Sequence, residues 1–186
     1  SYQSYLVGRD AVVIATPNNS PLAGLKKNFT KHQLAKIFSG TAKYFSDINP
    51  VFPNRQIVLL VRDSGAGSAE MFQKLIMGKL QIAPSALQVP SQGVLLRRLQ
   101  TNKWAIGYIS SGLALKNKIL NVFKLEGVTP SNQSVIDGTY VFTRPLLMIV
   151  KGKVSEQAKL FIDFILGRDG QYLLAAHNYV PIVSPK

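Results

Sequence analysis

Short apolar runs alternate along this chain with segments of helical periodicity. Ala11–Thr16 is a β-branched apolar run stopped by Pro17, Asn18 and Asn19, which predicts a strand ending in a turn. Thr30 followed three residues later by Gln33 is a capping box, and Leu34, Ile37 and Phe38 form the apolar face of a helix ending at Gly40. Residues 41–56 are polar, aromatic and broken by prolines, the pattern of a loop. Ile57–Val61 is wholly apolar, as in a strand buried on both faces of a parallel sheet. A Gly-rich connection over Arg62–Gly67 leads into a helix predicted at Ser68–Met77, with Glu70 in its first turn and Gly78 beyond its end.

Ser91 caps a further helix to about Thr101, with Val94, Leu95 and Leu99 on its inner face. Trp104–Ile109 reads as a strand and Val122–Leu125 as a short one. Ser131 caps a short helix ending near Gly138. Tyr140–Val150 is extended but carries Pro145, which suits a strand passing between substructures better than a central sheet strand. Ser155 opens an amphipathic helix through Leu166 with Phe161, Ile162 and Ile165 on its apolar face. A second helix over Arg168–Asn178 and a Pro-containing tail, Tyr179–Lys186, follow. There is no internal repeat and no low-complexity segment. The expected class is α/β with a mostly parallel sheet.

Composition narrows the function. The 186 residues are 46% hydrophobic and 17% charged, the balance of a globular chain and not of a disordered one. The absence of cysteine excludes a disulfide framework, a zinc–thiolate site and a thiol nucleophile. No apolar run approaches the ~20 residues of a membrane-spanning helix. Ser1 opens no signal peptide, so the start reads as a cut. Lys and Arg outnumber Asp and Glu by 22 to 9, a net charge of +13. They are scattered, in runs no longer than the pairs Lys26–Lys27 and Arg97–Arg98, without a ribonucleoprotein motif. A solvated basic surface that steers a small anion fits better than nucleic-acid binding, and no nucleic acid is expected as a partner. His32 and His177 have no second ligand at metal spacing, and no carboxylate pair stands out for acid–base work, so neither a metal, a cofactor nor a catalytic residue is assigned. Trp104, Phe123 and Tyr108 read as core, and Ser110, Ser111 and Gly112 as a turn at a strand end.

One stretch carries chemistry: Val61-Arg62-Asp63-Ser64-Gly65-Ala66-Gly67-Ser68. A buried strand delivers an arginine, then small residues, into a helix start. Helix N-termini leave backbone N–H groups unpaired, with about half a positive charge. Gly65 and Gly67 allow close backbone approach, so Ala66, Gly67 and Ser68 can present N–H groups to an anion, and Ser68 adds a hydroxyl. Arg62 supplies a planar fork suited to a tetrahedral oxyanion, and Asp63 or Ser64 could hold it. The same residues also suit a plain capped helix with Arg62 paired to Asp63. A Walker loop is excluded because the Gly-Lys-Ser/Thr ending is missing.

The stretch Arg62 with Ala66-Gly67-Ser68 resembles the Arg-x-x-x-Ser-Gly-Thr phosphate loop of the phosphate-binding proteins that serve ABC transporters. Gly8-Arg9-Asp10 leading to Pro17-Asn18-Asn19, Ile37-Phe38-Ser39-Gly40 and Ala105-Ile106-Gly107-Tyr108 are similar to that family's motifs, in the family's order. So are Gly138-Thr139-Tyr140 to Arg144-Pro145-Leu146, then Phe161–Leu166, Gly170-Gln171 and Tyr179-Val180-Pro181. Ala66 departs from the usual Ser, which removes one hydroxyl donor but keeps the N–H.

The resemblance implies a type II periplasmic-binding-protein fold, largely its second lobe plus the C-terminal part of its first. Residues 1–10 would be a crossover, 11–138 the second α/β lobe, and 139–186 the returning strand and helices. It implies a non-enzymatic solute-binding protein, periplasmic or extracellular, that takes phosphate or a related oxyanion and hands it to an ABC transporter permease. Arg62, Ala66, Gly67 and Ser68 would bind the anion, with Asp63, Ser64 and Gly65 in support. The family's further first-lobe segment lies outside this sequence, so self-association or dependence on that segment is expected. The competing expectation is a non-transport interaction or adhesion module using the basic surface.

Overall fold

The structure is a computed structural model that describes residues 1–24 and 28–182; Lys26, Lys27 and the last four residues of the expected tail lie outside the described residues. The chain divides into two compact units, a central one of residues 12–130 and a terminal one made of residues 1–11 and 131–186. Among the described residues no helix is long and apolar enough to cross a membrane. One long strand, β1 (Tyr2–Pro17), contributes its first part to the terminal unit and its second to the central unit.

The central unit is built on a sheet in which β1 lies between β5 (Ala105–Ser110) and β6 (Leu120–Val122), with β3 (Val58–Arg62) and β4 (Leu87–Val89) beyond β5. β3 runs parallel to both β4 and β5, with Val58 opposite Ala105 and Leu60 opposite Leu87. β1 runs antiparallel to β5 and β6, pairing Ala15 with Gly107 and with Val122. The sheet is therefore mixed, and the expectation of a mostly parallel sheet fails at β1, which is antiparallel to both its neighbours. The apolar run Ala11–Ala15 is buried throughout, and an apolar run specifies burial on both faces without specifying direction. The expected strand at Val122–Leu125 is two strands in different sheets: β6, and β7 (Lys124–Leu125), which pairs parallel with β2 (Asn28–Phe29).

Helices cover this sheet. α1 (Lys31–Phe38) starts from the Thr30–Gln33 capping box, with Gln33 N–H donating to Thr30 Oγ1 at 3.1 Å and Thr30 N–H to Gln33 Oε1 at 2.9 Å. Such a cap contributes about 1 kcal/mol. The expected loop at 41–56 contains one turn of helix, α2 (Phe45–Ile48), because Asp47 Oδ2 accepts the N–H groups of Lys43 and Tyr44 at 2.8 and 2.7 Å. The helix expected at Ser68–Met77 is α3 (Gly67–Phe72) followed by a wider π turn, Gln73–Met77. Gly78, at φ +58°, ends it, and the Gln73 amide donates to the carbonyls of Gly78 and Leu80 at 3.0 and 2.8 Å. α4 (Gln92–Thr101) is capped by Ser91 and buries Leu95 and Leu99, while Val94 is only half-buried. A one-turn helix, α5 (Ser111–Ala114), follows β5.

In the terminal unit the first part of β1 pairs antiparallel with β8 (Thr143–Lys151), from Tyr2 opposite Lys151 to Ala11 opposite Thr143. β8 passes through Pro145 without breaking, because β8 is an edge strand paired on one side only and a missing N–H costs nothing on the open side. α6 (Asn132–Ile136), capped by Ser131, α7 (Glu156–Leu166), capped by Ser155, and α8 (Arg168–Ala176) complete it. Ile162 is the buried residue of α7; Phe161, expected on the same face, is 58% exposed. Gln171 is buried and ties three segments together: its amide donates to Val7 O and Ile165 O at 2.9 and 3.0 Å, and its carbonyl accepts from Ile182 N–H at 2.8 Å. Arg9 N–H donates to Val180 O, and Val180 N–H donates back to Arg9 O, each at 2.8 Å.

Candidate functional site

β3 ends at Arg62 on the carboxyl edge of the parallel part of the central sheet, where ligands bind in open α/β sheets. The strand end is anchored by its neighbour: Arg62 N–H donates to Tyr108 Oη at 3.1 Å. Tyr108 is fully buried and stacked on Phe72 of α3, ring centroids 4.3 Å apart at 14°. Burial pushes its phenol above the ordinary tyrosine value, so it stays a neutral hydrogen-bonding group.

The Arg62 side chain is 14% exposed and held in one orientation. Its Nε donates to Val89 O at 3.1 Å and to Asp63 Oδ1 at 3.2 Å, and its Nη2 to Asp63 Oδ1 at 2.9 Å and to Pro90 O at 3.1 Å. These bonds leave Nη1 as the uncommitted end of the fork. Asp63 is thus the residue that holds the guanidinium, and Ser64 makes no bond to it. At 53% exposure, Asp63 is in water, which screens the pair.

After Arg62 the loop turns tightly. Ala66 N–H donates to Asp63 O at 2.9 Å, and Ala66 O accepts from Ala69 and Glu70, making Ala66 the residue that caps α3. The Ala66 N–H is therefore already engaged. Among the described residues nothing accepts from the N–H groups of Gly67 and Ser68, the first two of the helix. A Cβ built at Gly65 would meet no atom within 4 Å, so no neighbour demands glycine there. Ser68 is buried, and its Oγ accepts from Gln92 Nε2 at 3.4 Å. Gln92, the first residue of α4, also accepts from Ser110 N–H at 3.2 Å through Oε1. One amide side chain thus ties the α3 start to the end of β5.

Gln92 was absent from the sequence-based assignment. A lone glutamine after a helix cap carries no periodic or motif signal, and its role comes from three segments meeting at one sheet edge. A groove of about 610 Å³ adjoins the stretch, lined by Arg62, Ser64, Glu70, Gln73 and Lys74 among others. It runs along the flank of α3, and Gly67 and Ser68 do not line it.

The family model of the PBP superfamily domain matches residues 2–169. The chain belongs to the PBP superfamily. This PBP superfamily member is 28% identical over 194 aligned residues to the phosphate-binding protein PstS of Staphylococcus epidermidis, a match that takes in 100% of the chain and 57% of that protein. It therefore spans little more than half the length of this curated relative. A Clostridium perfringens protein whose crystal structure has phosphate bound superposes with a TM-score of 0.81 at 24% identity, over 98% of this chain and 72% of that one. An ABC-type phosphate transport receptor from Vibrio cholerae does so with a TM-score of 0.80 at 23% identity, over 96% and 72%. The periplasmic-binding-protein fold expected from the sequence is the fold observed.

Proposed function

We propose that this chain is the phosphate-recognising part of a solute-binding protein, taking inorganic phosphate or a related tetrahedral oxyanion without covalent chemistry. The observation that carries the reading is that one strand–loop–helix junction supplies both an arginine fork held in place at the end of β3 and the Gly67 and Ser68 N–H groups, which have no acceptor among the described residues. Three properties suit an oxyanion there. The amides carry the positive end of a helix, Arg62 is oriented before any ligand arrives, and the Ser68 hydroxyl, accepting from Gln92, keeps its own proton to donate. Ala66 would contribute its N–H only by sharing it with Asp63 O. Asp63 acts by positioning Arg62, and Ser64 and Gly65 form the rest of the loop.

The named relatives support a place in phosphate import outside the inner membrane, with an ABC transporter permease as the receiving partner. Residues 11–138, which include the whole central unit, are read as the family's second lobe, and residues 139–186 as the returning part of its first. The terminal unit exposes Leu147, Ile149, Leu160, Phe161, Phe164 and Tyr172, and further chain or a second copy is expected to cover them.

The deciding experiment is calorimetric titration of phosphate, then sulfate, at one ionic strength, with Arg62→Ala beside the unaltered chain. Phosphate-selective heat lost in Arg62→Ala is the expected result. Absence of heat to millimolar phosphate would remove the reading for the isolated chain.

A further inference from the structure

The opposite edge of the same sheet carries a second feature, which does not depend on the phosphate reading. β3 begins at Val58 and β5 at Ala105, and these two residues are paired, so the segments leading into both strands meet at the amino edge. There Ile57 N–H donates to Lys43 O, Phe45 N–H to Arg55 O and Val58 N–H to Trp104 O, each at 2.9 Å. Lys43, Arg55 and Lys103 are exposed and are brought together by these backbone bonds. The acid beside them is Asp47, whose Oδ2 is occupied by two backbone N–H groups.

From this rim stands the tip Asn49-Pro50-Val51-Phe52-Pro53. Val51 is 89% exposed, the most exposed of the large apolar side chains among the described residues. The tip is nonetheless fixed: Val51 N–H donates to Asn49 Oδ1 at 3.0 Å, Phe52 N–H to Asn49 O at 2.9 Å and Arg55 N–H to Pro53 O at 2.8 Å. A rigid apolar tip costs no ordering on contact.

The charge distribution agrees. Residues 12–130 hold 15 Lys and Arg against 4 Asp and Glu, so most of the net +13 belongs to the central unit. A single-stranded nucleic acid stacks its bases on free aromatic faces, but Lys103 Nζ lies 4.6 Å over the Trp104 ring and the Phe45 ring packs 5.6 Å from it. A protruding tip also offers no groove for a peptide side chain. An exposed apolar tip rising from a rim that carries Lys43, Arg55 and Lys103 matches a lipid interface: the tip enters the headgroup layer while the cations meet anionic lipid. We propose that the Val51 tip, with Lys43, Arg55 and Lys103 on the same rim, docks the central unit on an anionic bilayer surface.

Sedimentation with vesicles tests this, using phosphatidylcholine alone and phosphatidylcholine with about a quarter phosphatidylglycerol. The chain should sediment with the anionic vesicles and not with the neutral ones. Lys43→Glu/Arg55→Glu/Lys103→Glu should lower partitioning by about tenfold or more, whereas Lys151→Glu/Lys153→Glu/Arg168→Glu, the same change of charge on the terminal unit, should retain most of it. Val51→Ser, which alters no charge, should lower it several-fold. Circular dichroism checks folding, and Val51→Ser keeps the test decisive if the triple variant unfolds. Equal loss in both triple variants, indifference to Val51→Ser, or no sedimentation with anionic vesicles would overturn the proposal. Release of vesicles by soluble double-stranded DNA, with DNA binding lost in Lys43→Glu/Arg55→Glu/Lys103→Glu and unchanged by Val51→Ser, would assign the rim to a nucleic acid and overturn it as well.

Discussion

The backbone N–H of Arg62 donates to the phenolic oxygen of Tyr108 across the β3–β5 boundary, at 3.1 Å. A buried side chain thereby fixes the point at which the strand ends and the loop proposed to take the anion begins. Tyr108→Phe keeps the stack on Phe72 but leaves a half-buried donor unsatisfied, which costs about 1–3 kcal/mol. Urea denaturation should show the midpoint fall with an unchanged slope, and phosphate affinity should fall with it. An unaltered midpoint would mean that water replaces the phenol.

Gln92 is predicted to act on the proposed site through Ser68. In Gln92→Leu the Ser68 hydroxyl and the Ser110 N–H lose their partner, and one hydrogen bond is worth about 0.5–1.5 kcal/mol. Phosphate affinity by calorimetry should drop by up to about tenfold. The thermal midpoint should fall as well, since the half-buried Ser110 N–H loses its acceptor. Unchanged affinity would leave Ser68 outside the site.

Asp10 and Arg144 form a pair on opposite strands of the β1–β8 ribbon, Nη2 to Oδ2 2.9 Å, with Asp10 buried and Arg144 41% exposed. Burial pushes the Asp10 carboxyl above the ordinary aspartate value, and Arg144 pulls it back only in part. A carboxyl raised on folding supports the native state fully when protonated, below its unfolded value. That support declines as pH climbs through the folded value. The melting temperature of the unaltered chain relative to Asp10→Asn should therefore fall from acid toward neutral pH and then level off. Arg144→Ala, which leaves the carboxylate buried alone, should cost about 1.5–3 kcal/mol at neutral pH and less in acid. A pH-independent difference for both variants would show that the pair does not titrate as described.

Gly170 stands where α7 meets α8 in the terminal unit. A Cβ there would lie 2.5 Å from both Cα and O of Ile165 and closer still to the carbonyl oxygen of Phe164. Backbone atoms cannot swing aside as a side-chain tip can, so Gly170→Ala should destabilise by about 1–3 kcal/mol or more. Differential scanning calorimetry on the intact chain reads this directly, and a midpoint within a degree of the parent would refute it.

The apolar surface of α7 and β8 should make the chain associate. Sedimentation velocity over a concentration series is expected to show mass rising with concentration, and Leu160→Glu with Phe164→Glu to reduce it. A monodisperse monomer throughout would show that the face is tolerated in water.

Features carried by short-range chemistry were legible in the sequence. Thr30 with Gln33, Ser91, Ser131 and Ser155 all cap helices as expected, because a cap needs only a side-chain oxygen and an N–H two or three residues away. The junction from strand to small-residue loop to helix at Arg62–Ser68 was legible for the same reason. Where segments distant in sequence meet, the tertiary structure decided. It set β1 antiparallel between β5 and β6, a direction that apolar runs do not encode, and it exposed Phe161 on a helix whose periodicity alone would bury it. It also brought Val89, Pro90 and Gln92 to Arg62 and Ser68, and engaged the Ala66 N–H with Asp63 O, leaving those of Gly67 and Ser68 without an acceptor among the described residues. Pattern specifies which residues leave water and where helices start; only packing specifies which buried neighbours share one edge, because each such contact depends on every other segment already being in place.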